Sequence, residues 1–167
     1  MKIQSIRLLC LVASIISGCA APITYYSKTP DISKPGKIRF VMPGGAYSTV
    51  ALYKENKSCI GIQRVMFFVQ NGDESVYIPY RKYITFSTYI QTPGVSSFQY
   101  SGRAFSVPFE SGELLVSMDF DDEKAYTRIQ KRDDILGWVP VSGVIERKMV
   151  QPFLESGSWC EEAQDLL

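Results

Sequence analysis

The sequence contains no histidine. That absence removes the commonest general base and the commonest metal ligand at neutral pH. Ser-His-Asp and Cys-His catalytic arrangements, and zinc sites of the usual composition, are therefore excluded. A large excess of either charge is also lacking: Lys plus Arg is 18 against 17 for Asp plus Glu, a formal net charge of +1. A nucleic-acid binder that works through bulk positive charge is excluded with it. There is no GxSxG, no phosphate-cradling glycine loop with a lysine, and no Ser followed by Lys at the SxxK spacing. The apolar run Leu8–Ile16 falls far short of the roughly 20 residues that a membrane-crossing helix needs. What is present is a chain of 167 residues, 46% hydrophobic and 13% aromatic, enough for one packed domain.

The first residues read as an address. Lys2 and Arg7 precede the Leu8–Ile16 run without any acid, as in a secretory signal. Ile16-Ser17-Gly18-Cys19 follows and resembles the bacterial lipobox. In that motif two small residues let the peptidase hold the chain beside a cysteine that receives diacylglycerol and becomes the new N-terminus. Cleavage at another site, after Ala20 or Ala21, is the competing reading. A cut after Ala21 would put Pro22 just past the scissile bond, where signal peptidases tolerate it badly. The resemblance implies a signal peptide over 1–18 and lipidation of Cys19. About three palmitate-type acyl chains would result, and two already suffice for stable anchoring. The residue after the cysteine is Ala20 rather than Asp, which implies the periplasmic face of the outer membrane.

Residues 19–35, with Pro22, Pro30 and Pro35 and no apolar periodicity, read as the lipidated Cys and a flexible tether. Tyr25 and Tyr26 within it have two open readings, lipid headgroup contact or a cap on the domain. From Gly36 the pattern changes to period two. Ile38, Phe40 and Met42 make one apolar face. Further β-type runs are expected at 48–53, 65–70, 75–79, 83–91, 95–101, 103–109, 113–120, 124–130 and 135–141. Turn signals such as Asn71-Gly72-Asp73, Pro93-Gly94, Ser111-Gly112 and Ser142-Gly143 separate them. The pattern predicts an all-β, antiparallel β-sandwich domain over 36–167. Ser158-Trp159-Cys160-Glu161 fits a capping box and predicts a short C-terminal helix.

Of the four cysteines, Cys10 leaves with the signal and Cys19 takes the lipid, so Cys59 and Cys160 remain. In an oxidising compartment they are expected to form a disulfide. The alternative, a pair of reactive thiols, has no CxxC or histidine to support it.

Chemistry is sparse. The acidic run Asp119–Glu123 invites a calcium check, but an EF-hand loop would require Gly at Lys124 and Glu at Gln130. It reads better as the turn of a hairpin, with an irregular calcium site as the alternative. Glu110 and Glu113, which flank Ser111-Gly112, read as solvating a turn; paired carboxylates for sugar hydrolysis stay open because the fold, not the spacing, would place them. The Tyr77–Tyr83 stretch mixes tyrosines with cations. Tyr80, Arg81 and Tyr83 are the candidate binding surface, for sugar stacking or a protein contact, against the plainer reading of a strand end and a basic turn. No catalytic residue, metal site or cofactor is predicted.

The lipobox, the tether, the opening "KIRFVM" strand and the later "RAFSVPFESGELLVSMDF" block together resemble small bacterial envelope lipoproteins with a transthyretin-like (prealbumin-like) β-sandwich. In such domains the later block forms paired late strands. The resemblance implies a non-enzymatic, outer-membrane-anchored periplasmic lipoprotein, an interaction or structural component of the envelope. Its partners would be the membrane, through the N-terminal lipid, and another envelope protein. The alternatives are an accessory lipoprotein of a trans-envelope secretion apparatus and a carbohydrate or peptidoglycan binder.

Overall fold

Period-two alternation along the strands buries one side chain in two and turns those faces toward each other. In a computed structural model, which describes Tyr26 and residues 35–42, 44–93, 98–120 and 125–163, the described residues form ten strands and no helix. They are β1 (Gly36–Val41), β2 (Tyr47–Glu55), β3 (Ile60–Val69), β4 (Asp73–Ile78), β5 (Arg81–Pro93), β6 (Phe98–Phe109), β7 (Glu113–Phe120), β8 (Ala125–Asp133), β9 (Gly137–Pro140) and β10 (Ile145–Arg147). Sheet I has the order β4-β1-β7-β8-β9 and sheet II the order β10-β6-β5-β2-β3. Ile38, Phe40, Leu114, Val116 and Met118 of sheet I face Val50, Leu52, Ile84, Phe86, Ile90 and Val107 of sheet II in one core. The Phe40 and Phe86 rings meet edge to face at 5.5 Å. Thr88 and Thr127 share a hydrogen bond of 3.0 Å between β5 and β8, so their hydroxyls are partnered inside the sandwich. The described residues are thus all-β, in two facing sheets, as the sequence pattern predicts.

The connections depart from a simple meander. The chain crosses between sheets at 42–46, 70–72, 79–80, 110–112 and 141–144, and β1 lies parallel to β7 in the middle of sheet I. The "RAFSVPFESGELLVSMDF" block therefore does not form a pair: β6 lies in sheet II and β7 in sheet I. Gly112, at φ 80°, makes that crossing, and its N–H donates to the Tyr80 hydroxyl at 3.1 Å. β6 is one strand of 12 residues, where two shorter ones are expected. Ile135, expected in a strand, sits instead in the β8–β9 turn, and β9 begins at Gly137.

The predicted C-terminal helix does not form over 158–163; residues 164–167 lie outside the described residues. Backbone N–H groups of this segment bond carbonyls outside any helical turn instead. Trp159 donates to Cys59 O at 3.3 Å, Glu161 to Lys148 O at 3.0 Å, and Ala163 to Lys57 O at 3.2 Å. Cys160 bridges Met149 in strand fashion and is joined to Cys59, the two Cα atoms 5.5 Å apart. A cross-link and three long-range bonds outweigh a local cap worth about 1 kcal/mol.

Signal residues 1–18 and Cys19 lie outside the described residues, as does the tether except Tyr26 and Pro35. Tyr26 sits on the domain. Its N–H donates to Arg64 O of β3 and its hydroxyl to Tyr77 O of β4, both at 2.8 Å. Of its two open readings, the structure selects the cap, across the edge where the two sheets part.

Removing the disulfide frees a loop with a sequence separation of 101 residues. A Cys59→Ala/Cys160→Ala variant is expected to unfold in urea with a stability lower by about 2–4 kcal/mol. An unchanged urea midpoint would show that the cross-link does not hold the C-terminal segment.

Candidate functional site

Sheet I faces water through charged side chains. Arg39 pairs with Asp73 at 2.6 Å, and Lys37 and Arg132 reach Glu113 at 3.9 and 4.0 Å. The Arg39 guanidinium holds the Asp73 carboxyl below its ordinary range. The outer face of sheet II differs. Ala51 and Tyr53 of β2, Thr85 and Ser87 of β5, and Ala104 and Ser106 of β6 point away from the core and are nevertheless buried. Such a face requires a cover. The segment 147–163, called the strap below, supplies it.

Arg147 fixes the near end of the strap. It is 5% exposed. Its guanidinium donates to Asn56 O and Ser106 Oγ at 3.0 Å, to Lys57 O at 2.6 Å and to Glu161 O. All four acceptors are neutral oxygens, drawn from the β2–β3 turn, β6 and the strap itself. Burial lowers the Arg147 pKa from its ordinary value, but a guanidinium stays charged at neutral pH. Five N–H donors in one plane suit this position, because a planar fork reaches several carbonyls at once. The disulfide lies beside it, packed with Tyr53, Ile62 and Trp159.

Farther along, the strap stands off the sheet and leaves a groove of about 570 Å³. Its floor is Thr49, Ala51 and Tyr53 of β2, Ser87 and Tyr89 of β5, and Gly102 of β6. Ile62 and Arg64 of β3 form one wall, and Met149, Val150, Gln151 and Trp159 of the strap the other. Gly102 keeps the floor low: a Cβ there would stand 3.0 Å from the Tyr89 ring and 3.5 Å from Met149 Sδ. Several polar groups in the groove are engaged within the protein. Tyr53 and Ser87 share a hydrogen bond of 3.0 Å, and Arg64 pairs with Glu155 at 2.5 Å. The Trp159 indole N–H donates to Glu155 O at 3.2 Å. Beyond the rim, Phe153 is 100% and Leu154 55% exposed. The arrangement is an apolar cleft with an aromatic lining and an apolar lip, of a size that accepts a short chain segment or a small amphipathic molecule.

The residues singled out from the sequence lie elsewhere. Tyr80 is structural: its hydroxyl donates to Pro35 O at 3.0 Å and its ring packs on Phe109 at 5.3 Å. Arg81 is exposed at the start of β5, and a register shift separates it from Tyr83. Tyr83 is half-buried, and its carbonyl accepts from Asn56 Nδ2 at 2.7 Å. None of the three lines the groove. Cys59 and Cys160 are brought together; Cys19 is outside the described residues. Asp119 binds its neighbour's N–H and Arg128, while 121–124 lie outside the described residues. Among the described residues, no three of Cys, Asp or Glu gather as a metal site would require. Glu113 is held in ion pairs and Glu110 is exposed.

Sequence reasoning missed the groove, although a signal for it exists. Tyr47–Tyr53 and Tyr83–Gln91 carry no charge at either alternating set of positions. Strands of that kind are covered on both faces.

Matched against protein-family models, curated proteins and solved structures, the chain finds no counterpart in any of the three.

Two variants test the construction. Arg147→Met is expected to destabilise the fold by at least about 2 kcal/mol, since it leaves buried carbonyls without a donor. Burial raises the Tyr53 pKa, with the Ser87 bond and the Arg64 charge pulling the other way. A raised folded value means that its contribution is complete below the unfolded pKa of about 10 and is lost as pH climbs through the folded value. Stability should therefore fall above about pH 10, and Tyr53→Phe should remove that component. Parallel alkaline profiles for the two proteins would contradict the burial of Tyr53.

Proposed function

We propose that this chain is a non-enzymatic lipoprotein of the bacterial envelope, tied to the outer membrane through lipidated Cys19 with its domain in the periplasm. The domain holds an apolar segment of another envelope protein in the groove beneath the strap. The observation that carries the reading is the groove itself: an uncharged floor, a fixed strap, and an exposed Phe153-Leu154 lip. The address comes from Ile16-Ser17-Gly18-Cys19 and from Ala20.

An apolar protein segment suits the groove better than a sugar. Glycan sites need several polar groups converging on the ligand beside a stacking ring. Here the Tyr53 and Ser87 hydroxyls bond each other and the Trp159 N–H has a carbonyl. The sugar reading built on Tyr80, Arg81 and Tyr83 loses its central ring, because Tyr80 packs on Phe109. An accessory role in a trans-envelope secretion apparatus is one form the protein-partner reading can take. The non-enzymatic reading rests on the same engagement of polar groups and on the absence of histidine.

A photo-crosslinking residue placed at Val150 or Phe153 of the full chain, in cells, is expected to capture one discrete envelope protein. The same residue at Tyr126, on the outer face of sheet I, is expected to leave it uncaptured. Capture dominated by cell-wall fragments would favour the glycan reading. Equal capture from both faces would overturn the groove as the docking surface.

A further inference from the structure

The β8–β9 turn holds two aliphatic side chains in water. Ile135 is 92% and Leu136 75% exposed. The turn is built to stay that way. Asp133 Oδ1 accepts from Ile135 N at 2.9 Å and Leu136 N at 2.8 Å, and Gly137 closes the turn at φ 77°. Asp133 is held below its ordinary pKa by those two N–H groups, so the turn stays ordered at neutral pH. A free tail can fold an apolar residue back onto the body, whereas this turn cannot. Lys131 and Arg132, both exposed, and half-buried Trp138 flank it, with the exposed carboxylate of Asp134 beside Ile135. Cations and an indole beside protruding aliphatic groups suit the boundary between headgroups and acyl chains.

Its position within the sandwich selects the occupant. Register places Gly36 beside Ile78, Lys37 beside Glu113, Leu114 beside Lys131 and Asp133 beside Gly137. The start of β1, where the chain arrives from the N-terminal segment, and the Ile135-Leu136 tip are thus at one end of the sandwich. Tyr26 reaches the same end through Tyr77, the partner of Lys37. Cys19 lies only seven residues before Tyr26. At about 3.3 Å per residue that stretch spans at most about 25 Å. A lipid on Cys19 would hold the domain within that reach of the bilayer, attached through the half of the sandwich that carries the turn.

We propose that the β8–β9 turn is a second, non-covalent membrane contact, in which Ile135 and Leu136 enter the lipid surface to which Cys19 is anchored. The inference rests on the lipoprotein reading above, and the test separates the two. Full-length protein carrying Leu136→Cys is labelled with an environment-sensitive dye. It is then reconstituted in phosphatidylethanolamine and phosphatidylglycerol vesicles containing nitroxide-labelled acyl chains. A second preparation carries the dye at Gln70→Cys, past the end of β3 at the far end of the sandwich. The mass of the N-terminal peptide is measured in both. The expected result is an acylated Cys19, with emission at position 136 quenched by more than about twofold and emission at position 70 unaffected. An acylated Cys19 with no more quenching at 136 than at 70 overturns the turn contact and leaves the anchor standing. An N-terminal peptide without acyl mass overturns the anchor, and the turn contact with it.

Discussion

One buried cation organises the side of this protein that carries the groove. Arg147 has no carboxylate among its four acceptors; it binds three backbone carbonyls and the Ser106 hydroxyl. Burying a charge is costly unless it is well hydrogen-bonded. That cost is met only when the β2–β3 turn, β6 and the strap converge on the guanidinium together. The interaction is therefore a geometric condition: with the strap displaced, a charged group stands beside the sheet without its partners. The Cys59–Cys160 bond adds a covalent limit a few residues away.

The rest of the recognition face follows. Because the strap is pinned at Arg147 and Cys160, the chain between them arches over an uncharged sheet surface without filling it. The arch makes one wall of the groove, and its crown exposes Phe153 and Leu154. The Arg64–Glu155 pair links that arch back to β3. The opposite sheet surface is laced with ion pairs. The end of the sandwich that receives the N-terminal segment carries the protruding turn.

Most of the strands were legible because alternation is a direct readout of which face is buried. β7 begins and ends where the Leu114, Val116 and Met118 pattern places it, and Ile38, Phe40 and Met42 enter the core as expected. Pairing was less legible. Ser111-Gly112 and Asn71-Gly72 read as turns, and they carry the chain from one sheet to the other; a short turn looks alike whether it joins neighbouring strands or two sheets. The strap was hidden for a different reason. Its sequence holds a local helix start at Ser158, while the forces that decide its shape come from Cys59 and Lys57, distant in sequence, and from Arg147 at its own start. Ile135 was misplaced because an apolar residue beside a strand reads as strand; only the Asp133 turn bonds show it facing outward. The disulfide was the one long-range feature within reach, since removing Cys10 and Cys19 left a single pair.

The account depends on the strap being a fixed wall rather than a tail that rests on the sheet. Amide hydrogen exchange of the intact, oxidised protein at Val150, Trp159, Glu161 and Ala163 measures this directly. Trp159 and Ala163 donate to Cys59 O and Lys57 O of the β2–β3 turn, and Val150 and Glu161 donate across the strap itself. The account predicts protection at all four that approaches that of the central strands β5 and β6. Exchange at the rate of an unfolded peptide would contradict it, because a loose strap leaves neither a groove nor a reason for Arg147 to be buried.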